Sequence, residues 1–155
     1  MYLPEGITSH AFDDSNTAHQ HYQQFKQVLY PLVKAKQGEI LSIEEAHFCS
    51  YHLAKINLKD DPIYILLHAT YPYVSVASEV DFFKAIFIYH PFAQELKPYY
   101  EIIPLDYLEQ TVLLKRAKKG VISLNIDNQL SQHELRDVVY WKPSCIGDII
   151  FNHWD

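Results

Sequence analysis

Glycine is scarce in this chain, and its scarcity excludes whole classes of chemistry. Four glycines occur in 155 residues, Gly6, Gly38, Gly120 and Gly147, each isolated. Phosphate-cradling loops need clustered glycines, so neither a P-loop nor a dinucleotide fingerprint fits. There are two cysteines, Cys49 and Cys145, far apart and in no Cys-x-x-Cys pair. That is too few for a disulfide framework, and both thiols are expected reduced. No apolar run reaches the roughly 18 residues of a membrane span, so no membrane partner is expected. The start, Met1-Tyr2-Leu3-Pro4-Glu5, lacks the charged and apolar regions of a secretory signal, and the expected location is the cytoplasm. Positive charge is also short: 13 Lys and Arg stand against 19 Asp and Glu, for a net charge of −6. Such a balance repels a phosphate backbone, so no nucleic-acid partner is expected, and it suits a basic protein partner instead. The one basic run, Lys115-Arg116-Ala117-Lys118-Lys119 before Gly120, reads as the cationic last turn of a helix.

What is present describes an ordinary folded domain. A hydrophobic share of 48% beside a charged share of 21% argues against disorder. No repeat, low-complexity tract or linker divides the chain, so residues 1–155 read as a single domain, long enough to bury its own core. The final stretch from Tyr140 to Asp155 carries two Trp, one Phe and three Ile. Chain ends are usually frayed and polar; apolar density of this kind predicts a docked terminus.

Periodicity predicts a helix over 17–36, with Ala18, Tyr22, Phe25, Leu29, Leu32 and Val33 on one face. Asp14, Ser15 or Asn16 can cap it, Pro31 should kink or break it, and Gly38 stops it. Ser42 and Glu45 form a capping-box pattern before Ala46, Cys49, Leu53 and Ile56, which predicts a second helix ending near Asp60-Asp61-Pro62. Strands are predicted over 63–67, 74–80 and 85–89, too closely spaced for crossover helices and therefore antiparallel, with a fourth candidate over 100–103. Asp106 and Glu109 suggest a helix running to Gly120, and Val121–Ile126 alternates like a strand. Ser131 and Glu134 form a further capping box before Leu135, Val138 and Val139. Ser144 is placed to cap a last helix carrying Ile146, Ile149, Ile150 and His153. Helices, then strands, then helices give the class α+β: N-terminal helices packed on a mainly antiparallel sheet, with further helices in the C-terminal half.

Motifs for catalysis or metal binding are thin. Nine histidines are present, but His19/His21 and His47/His52 diverge on helical geometry, while His68, His90, His133 and His153 stand alone. Zinc needs convergent ligands, so no metal and no cofactor are expected. Cys49 with His52 is a conceivable nucleophile and base, and Cys145 sits at a helix start where the dipole lowers a thiol pKa. Neither has a surrounding catalytic signature. The adjacent carboxylates Asp13-Asp14, Glu44-Glu45 and Asp60-Asp61 suit solvated turns and caps. Tyr71, Tyr73, Tyr99 and Tyr100 could stack on bases, yet no interleaved cations accompany them, and packing on a sheet is preferred.

The stretch Leu66-Leu67-His68-Ala69-Thr70-Tyr71-Pro72-Tyr73-Val74 carries a resemblance, as do Ile86-Phe87-Ile88, Pro98-Tyr99-Tyr100, Tyr140-Trp141-Lys142-Pro143 and Ile146-Gly147-Asp148-Ile149-Ile150-Phe151-Asn152. From Ile63 onward the chain resembles immunity proteins of contact-dependent growth inhibition and related polymorphic toxin systems. The resemblance implies a non-catalytic cytoplasmic protein that binds the C-terminal domain of one cognate toxin, often a nuclease. The family's contact residues do not carry over, and Gly147 is expected to serve close packing. Charge and turn position suggest an interface of Asp60, Asp61, Glu79 and Asp81 with Tyr71 and Tyr73. Two other readings stay open: a small hydrolase using Cys or His, and an adaptor subunit of a larger assembly.

Overall fold

In the computed structural model, residues 1–8, 15–81 and 84–154 are described. The elements in chain order are α1 (Ser15–Ala35), β1 (Glu39–Glu44), β2 (Tyr51–Asn57), β3 (Pro62–His68), β4 (Tyr73–Val80), β5 (Ala85–Phe87), α2 (Ala93–Leu96), β6 (Glu101–Ile102), α3 (Leu105–Leu108), β7 (Leu114–Arg116), β8 (Ile122–Leu124), α4 (Gln132–Trp141) and α5 (Ile146–Ile150). Strands β1 to β5 lie in chain order, each antiparallel to its neighbour, and β6 pairs parallel with the start of β4. The fold is α+β, as the element order predicts.

Strand β3 is buried on both faces and divides the core in two. Ile63, Ile65 and Leu67 alternate with Leu66, so the two sets point to opposite sides of the sheet. The first set meets Ala54, Ile56, Val74 and Val76 from the neighbouring strands and Phe25, Leu29 and Val33 from α1. The second face meets Leu3 and Ile7 of the N-terminal segment, Leu108, Leu135, Val138, Ile146, Ile149 and Ile150. The result is α1 on one side, the sheet in the middle, and the C-terminal helices with residues 3–8 on the other.

Two predicted elements differ. The helix over 42–56 is instead the hairpin β1–β2. Ser42 lies within β1, and Glu45 bonds the His19 ring on α1. Ala46, Cys49, Leu53 and Ile56 happen to fall at helical spacing, but burial alternates through His52, Ala54 and Ile56. Pairing all seven residues of β2 with β3 outweighs a local capping pattern. The helix from Asp106 toward Gly120 is only the single turn α3. Beyond it, Val112 N–H donates to Ser144 O (3.1 Å) and Ile146 N–H to Gln110 O (3.0 Å), which tie the chain down in extended form. The basic run consequently lies in the β7–β8 hairpin, not at a helix end. Its turn closes through Gly120 N–H to Ala117 O (3.0 Å), with Gly120 at φ +73° where a side chain is strained.

Smaller differences are local. Helix α1 runs through Pro31 unbroken to Ala35, because Leu29 and Val33 on either side are packed against the sheet. Asp14 and the Asp13-Asp14 pair lie outside the described residues. Ser144 does not cap α5, whose N-cap is Cys145; its hydroxyl donates to Asp148 Oδ2 (2.9 Å) instead. His153 lies beyond the end of α5. The capping box of α4 forms as expected: Ser131 Oγ accepts from Glu134 N–H, and Glu134 accepts from Ser131 N–H.

That same carboxylate is fully buried and does more than cap. Gly6 N–H donates to Oε1 (3.0 Å), while Thr8 N–H (3.2 Å) and Thr8 Oγ1 (2.8 Å) donate to Oε2. Both oxygens accept from fixed backbone N–H groups, so an amide placed here must aim its own NH₂ at a donor. Glu134→Gln is therefore expected to destabilise the fold nearly as much as Glu134→Ala, by about 2–4 kcal/mol in urea unfolding. A full-strength Gln variant would show that the charge and acceptor pattern are not required. Gly147 is packed as expected: a Cβ there comes within 2.5 Å of the Phe87 ring. Gly147→Ala should cost about 1–3 kcal/mol by the same measurement.

Candidate functional site

The last residues wrap under the sheet and are locked there. Ser50 N–H donates to Asn152 O (2.9 Å), Asn152 N–H to Ser50 Oγ (2.8 Å), and Ser50 Oγ to Ile150 O (2.7 Å). Asn152 Nδ2 donates to Ile149 O (2.8 Å), and Asn152 Oδ1 accepts from Trp154 N–H (3.1 Å). The terminus is docked, as its apolar density predicts.

Docking the tail forms a cleft of about 300 Å³ between it, the end of α4 and the end of β4. Trp141 from α4 and Trp154 from the tail face each other with planes 4° apart and centroids 6.4 Å apart. Tyr140, 75% exposed, packs edge-on against Trp141 at the rim. Tyr51 and His153 meet at 2.8 Å through the phenol oxygen and Nε2. Burial pushes the Tyr51 phenol up and the His153 imidazole down, so the pair is neutral near pH 7. Asp81 and Asp148 bring carboxylates, and Lys84 and Lys142 bring ammonium groups. Lys84 N–H donates to Asp81 Oδ1 (2.8 Å), which closes the end of β4. The cleft thus offers large, rigid aromatic faces beside mixed charge. Such surfaces bind by apolar contact and orienting hydrogen bonds.

The six residues expected at an interface do not form one patch. Asp60 and Asp61 occupy the tight β2–β3 turn, where Lys59 and Asp60 both have positive φ, and Asp61 Oδ2 meets His90 Nε2 at 2.7 Å. Tyr71 and Tyr73 stack at 5.5 Å, 8° apart, at the opposite end of β3, and Tyr71 OH donates to Glu5 O. Seven residues of extended chain separate the two ends, roughly 20 Å. Glu79 is exposed on β4 opposite Ile86. Of the six, only Asp81 lines the cleft. Trp141, Trp154 and Tyr51 are the cleft residues that charge reasoning passed over. The signal for two of them was the aromatic density of the terminus.

Neither cysteine has an activated thiol. Cys49 lies between β1 and β2, not on a helix stripe, and its Sγ donates to Tyr51 O (3.2 Å). Burial pushes its pKa up. Cys145 does cap a helix start, yet burial and then the Asp148 charge push its pKa up as well, against the expected dipole effect. His52 makes no bond to Cys49; its Nδ1 accepts from Ala46 N–H (2.8 Å). Among the described residues, no three His, Cys, Asp or Glu side chains converge as a metal site.

His52 and His68 are buried and neutral for a structural reason. His68 Nε2 donates to Ile7 O (2.7 Å), and its Nδ1 accepts from Thr70 and Tyr71 N–H groups. A second ring proton would point at two donors. Burial lowers both pKa values to about 4 from the ordinary 6.5, and His21 repulsion adds to it. Between those values the unfolded chain binds more protons than the folded one. Stability should therefore fall as pH drops from about 6.5 to 4, by about 3 kcal/mol per histidine at most. Urea midpoints measured at pH 7 and 4.5 check this, and equal midpoints would contradict it.

Comparison with protein-family models gives no match, and comparison with curated proteins and with solved structures gives none either.

Proposed function

We propose that this protein is an immunity-type inhibitor, which binds and neutralises a cognate toxin domain by protein contact and performs no chemistry of its own. The observation that carries this reading is the rim of the C-terminal cleft. Exposed Trp141, with Tyr140 packed edge-on against it, lines the cleft together with Asp81 and Asp148 on an acidic protein. Trp and Tyr dominate binding energy at protein interfaces because they bury large apolar area at little entropic cost. Charge at the cleft itself is balanced by Lys84 and Lys142, so it is the chain's net charge of −6 that would speed encounter with a basic partner. A nuclease toxin, whose cleft is built to hold phosphates, is such a partner. The chain's resemblance to immunity proteins supports the same reading, and its charge does so independently.

The hydrolase reading is weaker, because burial favours the protonated form of both thiols and neither is hydrogen-bonded to a histidine ring among the described residues. No observation favours an adaptor role over an inhibitor.

The test reads the genes that adjoin this one and, where one encodes a large secreted protein, co-expresses that protein's C-terminal domain with this chain. Growth rescue and a one-to-one, salt-sensitive complex are expected. Trp141→Ala, whose ring is 36% exposed and whose loss should spare the fold, is expected to raise the Kd by at least about tenfold. Absence of both rescue and complex would sink the inhibitor reading. An intact affinity in Trp141→Ala would move the interface away from this cleft.

A further inference from the structure

The basic run that sequence reasoning placed at a helix end projects instead as a two-stranded ribbon with an open edge. Strands β7 and β8 pair only with each other among the described residues. Ile122 and Leu124 of β8 pack partly onto the core, whereas all three residues of β7 are exposed. Each strand of the ribbon has an outer edge, and that of β7 is the one whose side chains are exposed throughout. Ala117 N–H donates to Val121 O and Asn125 N–H to Leu113 O. Antiparallel pairs alternate, so Lys115 and Ser123 form the next hydrogen-bonded pair. Leu114 and Arg116 then turn their N–H and C=O groups outward, away from β8.

Side chains around this edge are of two kinds. Leu113 and Val121 are each 56% exposed, and Leu114 is 39% exposed. Lys115, Arg116, Lys118 and Lys119 are all exposed and form no ion pair among the described residues. Four of the chain's 13 basic residues therefore stand on one small ribbon of a protein with net charge −6. Lysine on an edge strand ordinarily blunts pairing with other strands. Here the blunting is selective. A second β7 laid against the first would place cations opposite cations, which is destabilising, so self-pairing is opposed. A strand carrying acidic residues meets no such penalty, and apolar residues between them would cover Leu113, Leu114 and Val121. A phosphate backbone can accept from the outward N–H groups, but it gives the outward C=O groups no donor, gains nothing from the apolar groups and meets the negative charge of the rest of the chain.

We propose that β7 is a strand-addition site, which takes an extended, acidic segment of a partner protein with apolar residues at alternate positions. Backbone groups of Leu114 and Arg116 hold the added strand, the cations select it, and the exposed aliphatic residues anchor it. The inference is independent of the inhibitor reading, since it uses none of the cleft residues.

The test titrates the full-length, ¹⁵N-labelled protein with a fluorescein-labelled eight-residue peptide alternating acidic residues with Val and Ile. Saturable binding is expected, weakening at least about tenfold between 50 and 300 mM salt. Slowed exchange of the Leu114 and Arg116 amides should accompany it. A peptide with Lys in place of every acid should not bind. Lys115→Glu should weaken binding at least about tenfold with the fold intact, because that side chain is exposed. Arg116→Pro removes an outward donor at an edge position that tolerates proline, and should weaken binding comparably. The proposal is overturned if the acidic peptide fails to saturate, if the Leu114 and Arg116 amides exchange unchanged in its presence, or if a twelve-residue oligothymidine binds the ribbon more tightly. Because no toxin enters this titration, its failure leaves the inhibitor reading standing, and the reverse holds too.

Discussion

A carboxylate shut away from water must be satisfied by donors the fold supplies, and Glu134 is such a carboxylate. Its donors come from two distant places: its own helix start, at Ser131, and the N-terminal segment, at Gly6 and Thr8. The segment cannot shift without leaving a buried charge bare, which costs several kcal/mol. The constraint then passes onward. Ile7, between Gly6 and Thr8, accepts from the His68 ring at the end of the central strand, and that ring in turn holds the N–H groups of Thr70 and Tyr71. One chain of hydrogen bonds thus joins α4, the N-terminal segment, β3 and the β3–β4 turn. Leu3 and Ile7 fill the core beneath it.

The two surfaces argued to bind partners differ in character and share a support. The cleft is aromatic with mixed charge and is walled by the tail; the ribbon is cationic and aliphatic and rests on the core through β8 alone. Between them lies the lead-in to α5. Ser144 borders the cleft and accepts from Val112 just before the ribbon, while Gln110 accepts from Ile146 at the start of α5. Moving either segment therefore strains the other. This explains why a stretch with a helical capping pattern at Asp106 stays extended from Thr111 onward. Its backbone partners sit on another element at strand distance, where a helix would not reach them.

How far the sequence foretold this arrangement depends on where each signal arose. The α1 stripe, strand β3, the box at Ser131 and Glu134, and the docked terminus were legible because period or cap chemistry and tertiary burial agree there. The β1–β2 hairpin was misread because Ala46, Cys49, Leu53 and Ile56 satisfy helical spacing by coincidence, while the deciding partner, β3, lies farther along the chain. The acids and tyrosines named together were close in sequence, yet a strand runs between them and carries them to opposite ends of the sheet. Trp141 and Trp154 come together only through the lock of Asn152 on Ser50, 102 residues away in sequence, which no local pattern records.

That lock and the Glu134 anchor have a bearing on biosynthesis. Residues 3–8 leave the ribosome long before their partners on α4, which lie 126 to 128 positions downstream. Ser50 must likewise wait for Asn152. The β1–β4 meander can assemble from neighbours as it emerges, but one of its faces stays uncovered until α4 and α5 have been made. Closing loops of that span before the contacts repay their entropy is the signature of a late and slow final step. The nascent chain is exposed to misassociation between synthesis of the sheet and synthesis of α5, and shielding of the open sheet face by a chaperone is of most value in that interval.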